Sequence, residues 1–211
     1  VLGFGNMPPP PTSPPSPPRA ASANLSLPLV LDLGDDGLEL TALDRSNATF
    51  DVDANGQVKT VGWVGRKEGI LVFDKNANGV VDDASEWFGQ QFAASGTPPA
   101  NQDGFKALAT LANAGATSFS ATTSKINPAT GKRYFDELQV WIDADQDGKT
   151  DAGELRTLAS LGITSIDLNP QAVNRNNDGN AILSKASYTT ADGKRHTIND
   201  VGLATELTTL T

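Results

Sequence analysis

The sequence contains no cysteine, which removes disulfide bonding and thiolate metal centres from consideration. Its one imidazole, His196, leaves zinc without its usual ligands, and with no nucleophile context beside it this histidine reads as structural or surface. Basic residues are in deficit, 16 against 25 acidic, and the resulting formal charge of -9 argues against binding to nucleic acid or to an anionic membrane surface. No apolar run approaches the roughly 18 residues of a transmembrane helix. The first residues lack the basic start and apolar core of a signal peptide, and a chain that opens at Val1 reads as a fragment with an upstream domain in the same polypeptide. Acidic residues are themselves absent between Asp103 and Asp136, so the Ser/Thr-rich segment 116–133 holds no cation and reads as a surface excursion.

What is present falls into two regions. Residues 1–24 carry eight of the thirteen prolines and read as a semi-rigid, disordered linker. Residues 25–211 form the globular part, where 38% hydrophobic content over the chain suffices for one modest core. Much of the acidity there sits in short Asp/Asn/Gly clusters instead of along helix faces.

The sharpest of these clusters runs from Asp143 to Glu154. Asp143, Asp145 and Asp147 stand at positions 1, 3 and 5 of a twelve-residue loop, the Lys149 carbonyl at 7, Asp151 at 9 and Glu154 at 12, with Gly148 at the sharp turn of position 6. That is the EF-hand calcium pattern, whose hard oxygen ligands suit calcium. Asp151 and Glu154 also form a capping pair ahead of Leu155, Leu158 and Leu161, which predicts an exit helix. Thr150 occupies position 8, where an aliphatic residue usually pairs with a partner loop, so this loop is expected to lack a conventional partner.

A second loop follows the strand-like run 69–73, with Asp74, Asn76, Asn78, the Val80 carbonyl and Asp82. Its position 12 is Ser85, and Glu86, one residue late, is the better candidate to reach back to a metal. Two Asn in place of Asp predict weaker binding than at the Asp143 loop. Asp51, Asp53 and Asn55, with the Gln57 carbonyl, form a half-loop that lacks the closing acid and could be completed by Asp32, Asp36 or water. Asp32 and Asp36 fall at positions 1 and 5 of a further turn whose position 3 is Gly34, and a plain Asp-rich turn between strands is the alternative there. Elsewhere, Asp103 caps a helix bearing Phe105, Leu108 and Leu111, and Phe135, Leu138 and Trp141 form another helical stripe. A strand over 163–168, a plain turn at Asn174 to Gly179, and a hairpin around Asp192-Gly193 complete the reading. The expected fold class is α+β, with short strands, hairpins and a few helices organised around EF-hand-like calcium loops.

Several motifs occur in register with a known family. These are Pro-Leu-Val-Leu-Asp-Leu from Pro28, Val-Gly-Trp at Val61, Asn78 to Gly89, Leu138 to Asp143, and Gly-Glu-Leu at Gly153. Over residues 28 to about 200 the chain resembles the calcium-binding modules of large secreted RTX proteins of Gram-negative bacteria, in particular the FrpC-type self-processing module. The resemblance implies a secreted or cell-surface toxin or adhesin, about 2 to 4 bound calcium ions, and an α+β module that assembles on binding them. It also implies cleavage of an Asp-Pro bond, in which the aspartate carboxyl attacks its own backbone carbonyl and the proline nitrogen leaves. Here Leu27-Pro28 stands at that place, and Gly34 replaces a usual Asp, so the resemblance points to calcium binding with cleavage lost. Three readings stay open: a non-enzymatic calcium module, a calcium-triggered autoprotease, and a dockerin-like partner-binding module.

Overall fold

The computed structural model describes residues 27–94, 96–98 and 102–206. The proline-rich linker read over 1–24 lies outside the described residues. In chain order the elements are β1 (Leu29–Asp32), β2 (Leu40–Thr41), β3 (Thr49–Phe50), β4 (Lys59–Thr60), β5 (Trp63–Val64), β6 (Glu68–Val72), α1 (Gly104–Ala109), β7 (Ser118–Ser120), α2 (Tyr134–Glu137), β8 (Gln139–Trp141), β9 (Leu155–Thr157), β10 (Ile163–Asp167), β11 (Gln171–Asn177), β12 (Asn180–Thr190) and β13 (Arg195–Gly202). Nine strands make one antiparallel sheet in the order β7-β10-β12-β13-β1-β6-β8-β9, with β11 added on β12, while β2-β5 and β3-β4 form two small ribbons.

The protein is therefore mostly β, and the α+β expectation with EF-hand loops is overturned. The helices α1 and α2 hold six and four residues. The reason is visible in where the apolar residues point. Around β1, β6 and β8 the sheet is buried on both faces, so successive residues feed two cores: Leu29, Leu31, Leu71 and Val140 enter one, and Val30, Ile70, Val72 and Trp141 the other. The stretch Leu155, Leu158, Leu161 looked helical by its spacing of three. In fact Leu155 lies against the second core while Leu158 and Leu161 lie in or against the first, which one helix face cannot do. β9 therefore pairs with β8, and a 3-10 turn at Ala159–Leu161 ends on Gly162 in the left-handed region. Likewise Phe135 and Leu138 enter the first core and Trp141 the second, so α2 stops at Glu137 and the chain crosses into β8.

Asp103 caps α1 as its sequence indicates, accepting the Lys106 amide at 2.8 Å, and Phe105 and Leu108 are core. The 116–133 segment is a surface excursion only in part: β7 joins the sheet edge beside β10 and buries Phe119, while residues 128–133 are exposed. Asp178 and Gly179 both take positive φ and form the tight turn between β11 and β12. His196 stacks on Tyr188 and bonds Thr190 and Asp35, a structural placement.

Candidate metal centre

Four segments of the chain begin with Asp and reach Gly at the sixth residue, and they share one backbone shape. They run Asp32 to Gly37, Asp51 to Gly56, Asp74 to Gly79 and Asp143 to Gly148. In each, the fourth and sixth residues are left-handed: Asp35 and Gly37, Ala54 and Gly56, Ala77 and Gly79, Gln146 and Gly148. In each, the leading carboxylate accepts the amide of the glycine, at 3.0, 2.5, 2.8 and 2.9 Å respectively. In the last three, the side-chain oxygen at position 5 accepts the amide at position 7: Gln57 to Asn55 at 2.9 Å, Val80 to Asn78 at 2.8 Å, Lys149 to Asp147 at 2.7 Å. Short polar side chains thus satisfy the loop amides locally, which is why Asp, Asn and Gly recur at these places. A left-handed residue that is not glycine costs roughly 1–2 kcal/mol. At Gln146 the side chain offsets this by donating to the Val64 carbonyl at 2.8 Å and accepting from Arg66 at 3.2 Å.

The two longer loops close in the same manner. Glu154 accepts the amide of Ala144, the second loop residue, at 2.8 Å and that of Asp151, the ninth, at 2.9 Å. Glu86 accepts the amides of Lys75 and Asp82, again second and ninth, both at 3.0 Å. In both, the residue before the loop donates to the main-chain carbonyl of the closing Glu, Ile142 to Glu154 at 3.0 Å and Phe73 to Glu86 at 2.8 Å. Glu86 therefore takes the role of Glu154 although it comes one residue later. Among the described residues no helix directly follows either loop. The two are also partners: the Val81 amide, at position 8 of one, donates to the Thr150 hydroxyl, at position 8 of the other, at 3.0 Å. The Asp143 loop was expected to lack a conventional partner, and the contact it makes runs through the Thr150 hydroxyl in place of the usual aliphatic pairing.

Asp143 is the most enclosed ligand candidate of the two partnered loops, with no exposed surface. Its Oδ2 accepts from the Trp63 indole at 2.6 Å and its Oδ1 from the Gln146 amide at 2.7 Å. Asp143, Asp145 and Asp147 each place an oxygen within 4.8 Å of the others. The Trp141 indole donates to Glu154 at 3.2 Å. Trp63, Trp87 and Trp141 pack around Phe50 with ring centroids 4.5 to 5.8 Å from it, so one aromatic cluster supports the loops and orients two of their carboxylates. Gly148 presses on β3: a side-chain carbon there would come 2.7 Å from the Thr49 carbonyl oxygen. The Thr49 amide in turn donates to the Asp147 carbonyl at 3.1 Å, and the Ala84 amide to the Asp51 carbonyl at 2.9 Å, which draws the Asp51 loop into the same assembly.

The remaining residues separate from this group. Asp53 pairs with Lys59, and Asp82 accepts from the Asn76 and Asn78 amides at 2.8 Å each. Asp151 is exposed. Asp32 and Asp36 gather with Glu68 of β6, and that group contains neither Asp51 nor Asp53. Glu68, Trp63 and Trp141 were not singled out as functional from the sequence. Glu68 has no local signature, since only the strand register brings it opposite Asp32. Burial pushes the Asp143 and Glu86 carboxyls up, against the hydrogen bonds they accept, with Glu154 adding to the first and Asp74 and Asp82 to the second. Burial likewise pushes Glu68 up to about 7, with Asp32, Glu39 and Asp36 adding to it. Each direction records a negative charge that these sites disfavour.

An acidic, cysteine-free antiparallel β module with oxygen-lined Asp/Gly loops is the class these features define, and the chain belongs to the SPM domain family, whose profile matches residues 29–204. It is similar to a protein described as "Iron-regulated protein FrpA" from Neisseria meningitidis serogroup C, 38% identical over 192 residues. That alignment covers 90% of this chain and 16% of the relative, so the chain spans a small part of the curated relative it matches. The relative agrees with the RTX-type link read from the sequence.

Proposed function

We propose that this chain is a calcium-binding module of a secreted or cell-surface RTX-type protein, one that stiffens when calcium enters its loops. The observation that carries the reading is the matched closure of two partnered loops, each by a buried glutamate fixed through the amides of its second and ninth residues. The donors are carboxylates, amide oxygens and carbonyls, a set that fits a hard cation of calcium's size. Asp143, Asp145, Asp147, the Lys149 carbonyl, Asp151 and Glu154 would hold one ion. Asp74, Asn76, Asn78, the Val80 carbonyl, Asp82 and Glu86 would hold a second, and the open Asp51, Asp53, Asn55, Gln57 loop is the weakest candidate. The cation would offset the carboxylate repulsion and burial that lift the Asp143 and Glu86 carboxyls.

Self-cleavage at an Asp-Pro bond has no counterpart here, because Leu27 offers a hydrocarbon where that chemistry needs a carboxyl. Thermal unfolding in calcium and in chelator tests the proposal. A site filled at about 100 times its dissociation constant adds about 2.7 kcal/mol, so a clear rise in Tm with calcium is expected. Equal melting temperatures would overturn the reading.

A further inference from the structure

The Asp32 turn has a feature the other three lack. Asp32 ends β1 and Glu68 opens β6, directly opposite each other in the antiparallel register. Like charges so placed repel, yet both side chains are buried, Asp32 at 5% exposure and Glu68 at 0%. The main chain anchors one oxygen of each: the Gly37 amide donates to Asp32 Oδ2 at 3.0 Å and the Glu39 amide to Glu68 Oε1 at 3.1 Å. The other two oxygens, Asp32 Oδ1 and Glu68 Oε2, are buried and have no hydrogen-bond partner among the described residues. Asp36 brings a third carboxylate, with one oxygen of each residue within 4.8 Å of the others.

The neighbouring cations do not answer this pair. Lys67 holds Asp36 Oδ2 at 2.5 Å on the exposed side, and His196 is held by Asp35 at 2.7 Å. Tyr188 donates to the main-chain carbonyl of Asp32 at 2.8 Å, not to its carboxylate. Gly34 explains how Asp36 comes so close, because a side-chain carbon at residue 34 would lie 2.5 Å from Asp36 Oδ1. The turn thus carries no side-chain oxygen at its third position, and the exposed Asp36 and a glutamate from the adjacent strand stand beside Asp32 instead.

We propose that Asp32, Asp36 and Glu68 form a further site for a hard divalent cation of calcium's size, completed across two strands by Glu68. It rests on the calcium reading of the module and adds a site separate from the partnered loops. A shared proton between Asp32 and Glu68 is the competing way to satisfy two buried carboxylates.

Native mass spectrometry of the full chain in calcium decides between them by counting bound ions. Glu68→Gln keeps an oxygen for the Glu39 amide, and Asp36→Ala alters an exposed residue. Each is expected to bind one ion fewer than wild type, whereas Asp143→Asn loses a different ion, so that Glu68→Gln with Asp143→Asn loses two. Should Glu68→Gln fail to fold by circular dichroism, Asp36→Ala alone decides. A wild-type count retained by Asp36→Ala, or by folded Glu68→Gln, overturns the inference. If Asp143→Asn still loses an ion in that case, the loop reading stands; if wild type binds none, both fall.

Discussion

Replacing the loop glycines by alanine separates two costs that the structure assigns to different places. Gly56, Gly79 and Gly148 have φ of +82, +80 and +78, so alanine at any of them incurs the left-handed penalty of roughly 1–2 kcal/mol. At Gly56 and Gly79 an added carbon meets nothing within 4 Å, and the cost ends there. At Gly148 the same carbon would sit 2.7 Å from the oxygen and 2.9 Å from the nitrogen of Thr49, both main-chain atoms. β3 must then move, which breaks the bond from the Thr49 amide to Asp147, worth about 0.5–1.5 kcal/mol. Overpacking against backbone adds about 1–3 kcal/mol. Gly148→Ala is therefore expected to destabilise by about 3–6 kcal/mol and Gly56→Ala and Gly79→Ala by about 1–2 kcal/mol. Urea unfolding in chelator, followed by the fluorescence of the three tryptophans, measures each. A Gly148→Ala value within about 0.5 kcal/mol of Gly79→Ala would refute the contact between the Asp143 loop and β3.

Three further outcomes follow from the same geometry. Burial, with Asp103 adding, pushes Asp200 up to about 7, so its contribution to stability is fully present below the unfolded carboxyl range and is lost as pH rises through about 7; Asp200→Asn keeps an acceptor for the Gly104 amide and should flatten that decline, which amounts to at most about 4 kcal/mol, in urea titrations across pH 4 to 8. Trp63→Phe removes the donor to Asp143 and should cost about 1.5–3 kcal/mol, with calcium affinity at that loop falling roughly 10–100-fold in titration. Glu86→Gln leaves a single acceptor for the amides of Lys75 and Asp82, and a loss of about 1–3 kcal/mol is expected in chelator by urea unfolding.

The loops were legible in the sequence, as were β6, β10, the Asp103-capped α1 and the β12-β13 hairpin, whereas the elements on either side of the Asp143 loop were not. Asp at the first position and Gly at the sixth encode a turn through local hydrogen bonds, so reading them needs no knowledge of distant residues. Glu86 was legible for the same reason, since its reach back spans one loop. The exit helix failed because Leu155, Leu158 and Leu161 show a spacing of three, yet they serve cores on opposite faces of one sheet. β8, whose Val140 and Trp141 enter different cores, carries no alternation by which to recognise it, and β7 hid its single apolar residue, Phe119, among serines and threonines. Thr150 did not look like a pairing residue, because its hydroxyl replaces the aliphatic contact usual at that position. Glu68 was out of reach altogether, as the register of β1 against β6 alone places it beside Asp32.

Titration calorimetry of the purified chain with calcium tests the central claim most directly. Saturable heat at a stoichiometry of more than one ion, with the strongest step abolished by Glu154→Gln, is the predicted result. No heat of binding, or an isotherm that Glu154→Gln leaves unchanged, would contradict it.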